Sequence, residues 1–139
     1  MLTAARSGID GLWSPFVIQV GSLPTAVSVL VSTSETIDYV VVPEGCPPLN
    51  STCVSDRGNL YDPSQSSTWH SIGWYNVEAE MNLGYSEKGE YGYDTVTLGY
   101  QGSGLPSLVN QTIAGIAGSH FYLGLLGILP KPFSEAQRP

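Results

Sequence analysis

Short apolar segments rich in β-branched residues recur along this chain, and each one ends at glycine, proline or a polar turn. The clearest lie at 16–20 (FVIQV), 26–31 (AVSVLV) and 39–42 (YVVV). Runs of this length and composition are typical of buried strands. The same pattern predicts two long strands within 74–98 around a turn at 86–89, a turn over 99–104, and strands at 108–117 and 122–129. We therefore predict an all-β fold.

The composition favours the same fold class. Only 12% of the 139 residues are charged, whereas there are 16 glycines and 10 prolines, and a helical bundle needs more charged residues on its wet faces. The length is that of a single domain with one core. With a net charge of −7, the five Lys and Arg residues cannot form a basic stripe, so we expect no nucleic-acid partner. No apolar window of about 18 residues occurs, so we expect no membrane span within the chain.

Residues 43–73 are polar and are predicted to form a surface loop, with one short helical candidate at 64–67. This segment holds both cysteines, Cys46 and Cys53. The two are too close together and too isolated to form a redox motif, so we predict a structural disulfide. Closing so short a loop stabilises a fold by about 2.5 kcal/mol in the chain-entropy model.

Two further features favour an extracellular location, either as a secreted protein or as the ectodomain of a membrane protein. Asn50 and Asn110 each begin an N-glycosylation sequon, Asn-Ser-Thr and Asn-Gln-Thr respectively. The paired cysteines and the low charge point in the same direction. The first residues, MLTAARSGIDG, lack the apolar stretch of a signal peptide, and we expect a fragment or trimmed form of a longer protein, or an incomplete gene model.

None of the common catalytic or phosphate-binding motifs occurs, among them GxSxG, the P-loop, HExxH and CxxC. His70 and His120 lie far apart with no adjacent acid, and we interpret them as surface or turn residues. The acidic residues of the predicted hairpin are interpreted as a solvated rim rather than an acid–base pair; they are Glu78, Glu80, Glu87 and Glu90. We expect no metal ion and no cofactor.

Several segments occur in an order that belongs to one known family. WSPFVIQVG (13–21) is followed by VLVSTS (29–34), by VP (42–43) and by the cysteine loop. YDPSQSST (61–68) is similar to the FDPSxSST segment of pepsin-like aspartic peptidases, and residues 89–99 with YDTV resemble their second flap strand. LGLLGI (123–128) is similar to the hydrophobic-hydrophobic-Gly element of the same enzymes. Over residues 10–133 the chain resembles the N-terminal lobe of the peptidase A1 family.

The resemblance implies a single pepsin-like N-terminal lobe, which is an acid-protease β-barrel with a β-hairpin flap, incomplete at its C-terminal end. Residues 1–9 would be an N-terminal extension and residues 134–139 a tail. The partner of such a lobe would be a missing C-terminal lobe or a peptide ligand. The family's small loop also matches the spacing of Cys46 and Cys53 around two prolines.

The catalytic turn departs from the family pattern. Pepsin-like enzymes activate water between two aspartates that share a proton, one from an Asp-Thr-Gly turn in each lobe. Here Ser32 occupies the position of the family's first aspartate and is followed by Thr33 and Ser34. No second Asp-Thr-Gly-like segment occurs in the sequence. Serine cannot take a proton from water at neutral pH without a base, so the resemblance implies a noncatalytic domain. Asp38 would need a different register to substitute, and a nucleophilic Ser32 has no base that the sequence places beside it.

The flap also departs from the pattern. Leu83 falls closest to the position of the flap tyrosine, and Tyr85 would serve if the hairpin were one residue shorter. Two function classes follow. The chain is either a noncatalytic aspartic-peptidase-like domain or a ligand-binding or sensing ectodomain that uses the same scaffold.

Overall fold

The computed structural model describes residues 15–47, 51–77, 88–118 and 123–129. These residues contain seven strands and one short α-helix: β1 (Phe16–Val20), β2 (Thr25–Ser32), β3 (Asp38–Val41), α1 (Ser51–Asp56), β4 (His70–Asn76), β5 (Lys88–Leu98), β6 (Ser107–Ile116) and β7 (Gly124–Gly127). Two short 3-10 turns lie at Pro43–Gly45 and Pro63–Gln65. The all-β prediction is confirmed. None of the helical structure within these residues is long and apolar enough to cross a membrane.

Six of the strands close into a barrel. They follow the order β1-β2-β7-β3-β6-β5, and β5 returns to pair with β1, with Ile18 opposite Leu98. The remaining strand, β4, pairs with the N-terminal half of β5. Strand β7 lies between β2 and β3, although those two strands are consecutive in the chain, and it runs parallel to β2. The insertion of β7 places the connection between β2 and β3 beside the end of β7.

Strand β3 is buried on both faces. Val40 belongs to the cluster inside the barrel, and Tyr39 and Val41 belong to a second cluster on the other face of the sheet. Successive side chains of a strand point to opposite faces, so a strand with two buried faces has a continuous apolar sequence. The run YVVV at 39–42 has this origin.

The predicted surface loop at 43–73 is wrong over part of its length, because it contains α1 and the start of β4. A six-residue helix is too short to give a helical periodicity in the sequence. Two links to the surrounding chain hold the helix in position instead. Cys46 and Cys53 form the predicted disulfide, and the buried Arg57 donates hydrogen bonds to the carbonyls of Gly45 (2.9 Å) and Gly118 (2.6 Å).

The predicted turn at 86–89 is also wrong at its C-terminal side. Lys88 and Gly89 belong to β5, where they pair with Asn76 and Tyr75 of β4. A Cβ on Gly89 would lie 2.8 Å from the carbonyl oxygen of Gly115, so glycine serves a close approach of two strands here rather than a turn. The predicted flap residues Leu83 and Tyr85 lie outside the described residues.

A buried carboxylate ties the segment after α1 to the barrel. Asp94 of β5 is 1% exposed and accepts hydrogen bonds from the hydroxyls of Tyr61, Ser66 (2.7 Å) and Thr68 (2.5 Å), and from the amide of Thr95 (2.7 Å). Burial raises the pKa of the Asp94 carboxyl, but these four hydrogen bonds outweigh burial and hold the pKa below its usual value.

Replacing Asp94 tests this network through its pH dependence. Because folding lowers the pKa of Asp94, its stabilisation is complete above the unfolded-state value of about 3.9 and is lost as the pH falls through the folded-state pKa. We expect Asp94→Asn to lower the free energy of unfolding at pH 7 by about 2 kcal/mol, since two of the four donors must then face an amide NH₂ group. In urea titrations, the difference from the wild type should narrow below about pH 4.

The control is Asp56→Asn, a change at an exposed carboxylate of α1 that should alter stability by less than about 0.5 kcal/mol. Equal stability of Asp94→Asn and the wild type at pH 7 would contradict the role given to Asp94.

Candidate functional site

The site that the sequence singled out, Ser32 to Ser34, lies where β2 ends and the turn at residues 33–37 begins, and this turn joins β2 to β3. Ser32, the last residue of β2, lies opposite Gly127 in the parallel ladder with β7. The amide of Ile128 donates to the carbonyl of Ser32 (3.0 Å), and the amide of Leu129 donates to the carbonyl of Glu35 (2.9 Å). Backbone hydrogen bonds from the end of β7 therefore set the path of the turn.

Gly127 makes this approach possible because it has no side chain. A Cβ there would lie 2.3 Å from the carbonyl oxygen of Ile37 and 2.8 Å from that of Glu35. The amide of Gly127 donates to the carboxylate of Asp38 (3.1 Å), which is buried at the start of β3. Asp38 thus serves to anchor β7 against β3.

The hydroxyl groups of the turn bond to one another. The Oγ atoms of Ser32 and Ser34 lie 3.1 Å apart, and the amide of Ser34 donates to Ser32 Oγ (3.3 Å). This is the local bonding by which serine stabilises turns. Within the described residues, Ser32 Oγ bonds only to Ser34 and to no basic side chain, whereas a nucleophilic serine needs an adjacent base.

On one side of the turn lies a cleft of about 360 Å³, here named the tyrosine cleft. Its lining residues are Glu35, Thr36, Ile37, Tyr39, Tyr75, Asn76 and Tyr91. The Tyr39 hydroxyl donates to Glu35 Oε2 (3.3 Å). Burial, reinforced by the neighbouring Tyr91 and the charge of Glu35, raises the pKa of Tyr39, so its phenol stays neutral and keeps its proton for this hydrogen bond.

The aromatic wall of the tyrosine cleft is built from two neighbouring strands. The rings of Tyr75 on β4 and Tyr91 on β5 meet edge to face, with centroids 5.8 Å apart and planes at 84°. The Tyr91 hydroxyl donates to the carbonyl of Asn76 (3.1 Å). Half of the Tyr75 side chain, 53%, remains exposed. The cleft thus combines a carboxylate with an accessible aromatic ring.

On the other side of the turn lies a larger cleft of about 480 Å³, the β6–β7 cleft. Thr36 and Ile37 line both clefts, so the turn is the wall between them. Asp38 and the side chains of Asn110 to Thr112 line it together with apolar residues of β5 to β7 and the residues just after β7. Asn110, the residue of the second sequon, is exposed at its rim and has a φ of 54°.

The other residues considered from the sequence lie away from the turn or outside the described residues. His70 is exposed on β4, and Glu90 on β5 accepts a hydrogen bond from the Ser71 hydroxyl (3.0 Å). The described residues contain no group of three or more His, Cys, Asp or Glu side chains that could hold a metal ion. His120, Glu78, Glu80, Glu87 and Asn50 fall outside the described residues.

Sequence reasoning did not find the tyrosine cleft. Tyr39 of β3 and Tyr91 of β5 both lie opposite Ala114 of β6, so a small residue separates two large rings on one face of the sheet. No linear pattern connects these positions, since the pairing of three strands brings them together. The only available signal was the high number of tyrosines, eight in the chain.

The fold and site therefore define a small disulfide-bonded β-barrel with a hydroxyl-rich turn between two clefts. No protein-family model matches this chain, and a search of curated proteins finds no match to it either.

The close approach at Gly127 generates a stability prediction. We expect Gly127→Ala to lower the free energy of unfolding by more than about 2 kcal/mol, because a methyl group would force the end of β7 away from the turn. The matched control is Gly102→Ala, at a position with open space around it and a φ of 86°, where only backbone strain of about 1 kcal/mol is expected. Thermal or urea unfolding measures both changes, and an equal effect of the two would contradict the packing described.

Proposed function

We propose that this chain is a noncatalytic domain of the pepsin-like (peptidase A1) type. One observation carries the proposal. The residues that resemble the family's catalytic turn lie at the end of β2, held by β7, and present serine hydroxyls where the family has a carboxylate.

The strand order supports the proposal, and it was established from the strand pairing alone. The Leu125-Leu126-Gly127 element lies between the strand that leads into the turn and the strand that leaves it. The same element supplies the glycine that the turn packs against. Two of the segments that carry the resemblance thus meet in the fold, and this contact supports the proposal.

The chemistry of the turn supports catalytic silence. Peptide hydrolysis needs a base to take a proton from water and an acid to support the departure of the amide. Ser32 supplies neither, and its hydroxyl bonds to Ser34. Asp38, the nearest aspartate along the chain, bonds to the Gly127 amide. A single new carboxylate at position 32 would lack the second, proton-sharing carboxylate on which the family's mechanism depends.

We therefore expect no proteolysis of a denatured protein substrate between pH 3 and pH 7 by the purified chain, and no binding of a statine-type transition-state analogue. Ser32→Asp should remain inactive, with Ser32→Ala as the control that removes the hydroxyl. Acid-pH cleavage that a statine inhibitor blocks and that Ser32→Ala abolishes would overturn the proposal.

The second candidate is a ligand-binding or sensing ectodomain built on the same scaffold. The disulfide between Cys46 and Cys53 favours it, because such bonds persist in oxidising compartments and are compatible with an extracellular location. Expression in a secretory eukaryotic host tests this candidate. Intact-mass analysis should show an N-glycan lost in Asn110→Gln, because Asn110 is exposed. An unmodified Asn110 in secreted protein would argue against it.

A further inference from the structure

The tyrosine cleft has the chemistry of a cation site. Among the residues that the structure describes, seven line this cleft, and they include one carboxylate, three phenol rings and no Lys or Arg. An aromatic face attracts a cation through its quadrupole, and a carboxylate adds a directed hydrogen bond and charge. The chain as a whole has a net charge of −7, which also attracts a cationic ligand over longer distances.

The carboxylate and the exposed ring are both held in place. The buried Tyr39 donates its hydroxyl to Glu35 Oε2, and the backbone carbonyl of Glu35 accepts the amide of Leu129. The exposed ring of Tyr75 rests edge to face against Tyr91, whose own hydroxyl bonds to the carbonyl of Asn76. Groups oriented before a ligand arrives lose less conformational freedom on binding it.

From this arrangement we infer that the tyrosine cleft binds a guanidinium group, such as the arginine side chain of a peptide. A planar guanidinium can stack on an aromatic ring while it donates hydrogen bonds to a carboxylate, which a compact ammonium group does less well. The volume of about 360 Å³ lies near the lower end for ligand sites, so it suits one side chain better than a cofactor. The inference deepens the ligand-binding candidate proposed above, and only its peptide context rests on that candidate.

The test uses the full chain and a pair of probe peptides, Ac-Gly-Arg-Gly-NH₂ and the same peptide with citrulline in place of arginine. Citrulline keeps the shape of arginine and removes its charge. In NMR titrations, we expect the arginine peptide to bind at least about tenfold more tightly. The amide shifts should concentrate at Thr36, Ile37 and Asn76, which line the cleft.

Two variants locate the site, and each has a matched control. Glu35→Gln keeps the shape of the side chain and an oxygen for the Tyr39 hydroxyl, and we expect it to weaken binding of the arginine peptide about tenfold. Tyr75→Leu removes the exposed ring and should weaken binding about two- to fivefold. The controls are Glu90→Gln and Tyr93→Leu, at residues of β5 that line neither cleft, and both should bind like the wild type.

Equal binding of the arginine and citrulline peptides, wild-type affinity in Glu35→Gln, or no saturable binding at millimolar peptide would each overturn the inference. These outcomes are separate from those of the proteolysis assay. Loss of peptide binding would leave the catalytic silence of the Ser32 turn intact, and acid proteolysis would leave the chemistry of the tyrosine cleft unchanged.

Discussion

The insertion of β7 between β2 and β3 is the constraint on which the rest of the structure depends. Two consecutive strands are held apart by a strand from much later in the chain, and the turn that joins them must pass around its end. Gly127 permits the contact, the Asp38 carboxylate accepts its amide, and the amides of Ile128 and Leu129 bond to the turn. The insertion of β7 therefore sets the position of the turn, which is the wall between the two clefts.

A chain with few charges uses several of them inside the fold. Asp38, Arg57 and Asp94 are all buried. Asp38 joins β3 to β7, Arg57 joins the residues after α1 to Gly118 just after β6, and Asp94 joins the segment after α1 to β5. A buried charge is tolerated only when hydrogen bonds replace its hydration, and backbone groups and hydroxyls provide them here. Glu35, in the wall of the tyrosine cleft, is a charged group beside the turn that also accepts a hydrogen bond from the Tyr39 hydroxyl.

The strands β1, β2, β3 and β6 were predictable to within about two residues because each is a local pattern of β-branched residues between turn formers. The disulfide was predictable because the two cysteines have no other partner in the sequence. Helix α1 was not predictable, because Arg57 holds it through carbonyls that are distant in the sequence. The start of β5 was not predictable either, because Gly89 serves a close contact between strands rather than a turn. The tyrosine cleft depends on the Tyr39-Ala114-Tyr91 register, which only the strand pairing creates.

Amide hydrogen exchange at the end of β7 tests the central claim most directly. The amides of Gly127, Ile128 and Leu129 donate to Asp38, Ser32 and Glu35. If β7 holds the turn in place, these three amides should exchange as slowly as those of the barrel strands, through global unfolding alone. Rapid exchange at all three, while the amides of β1 and β6 stay protected, would show that the turn is not anchored by β7 and would contradict the account.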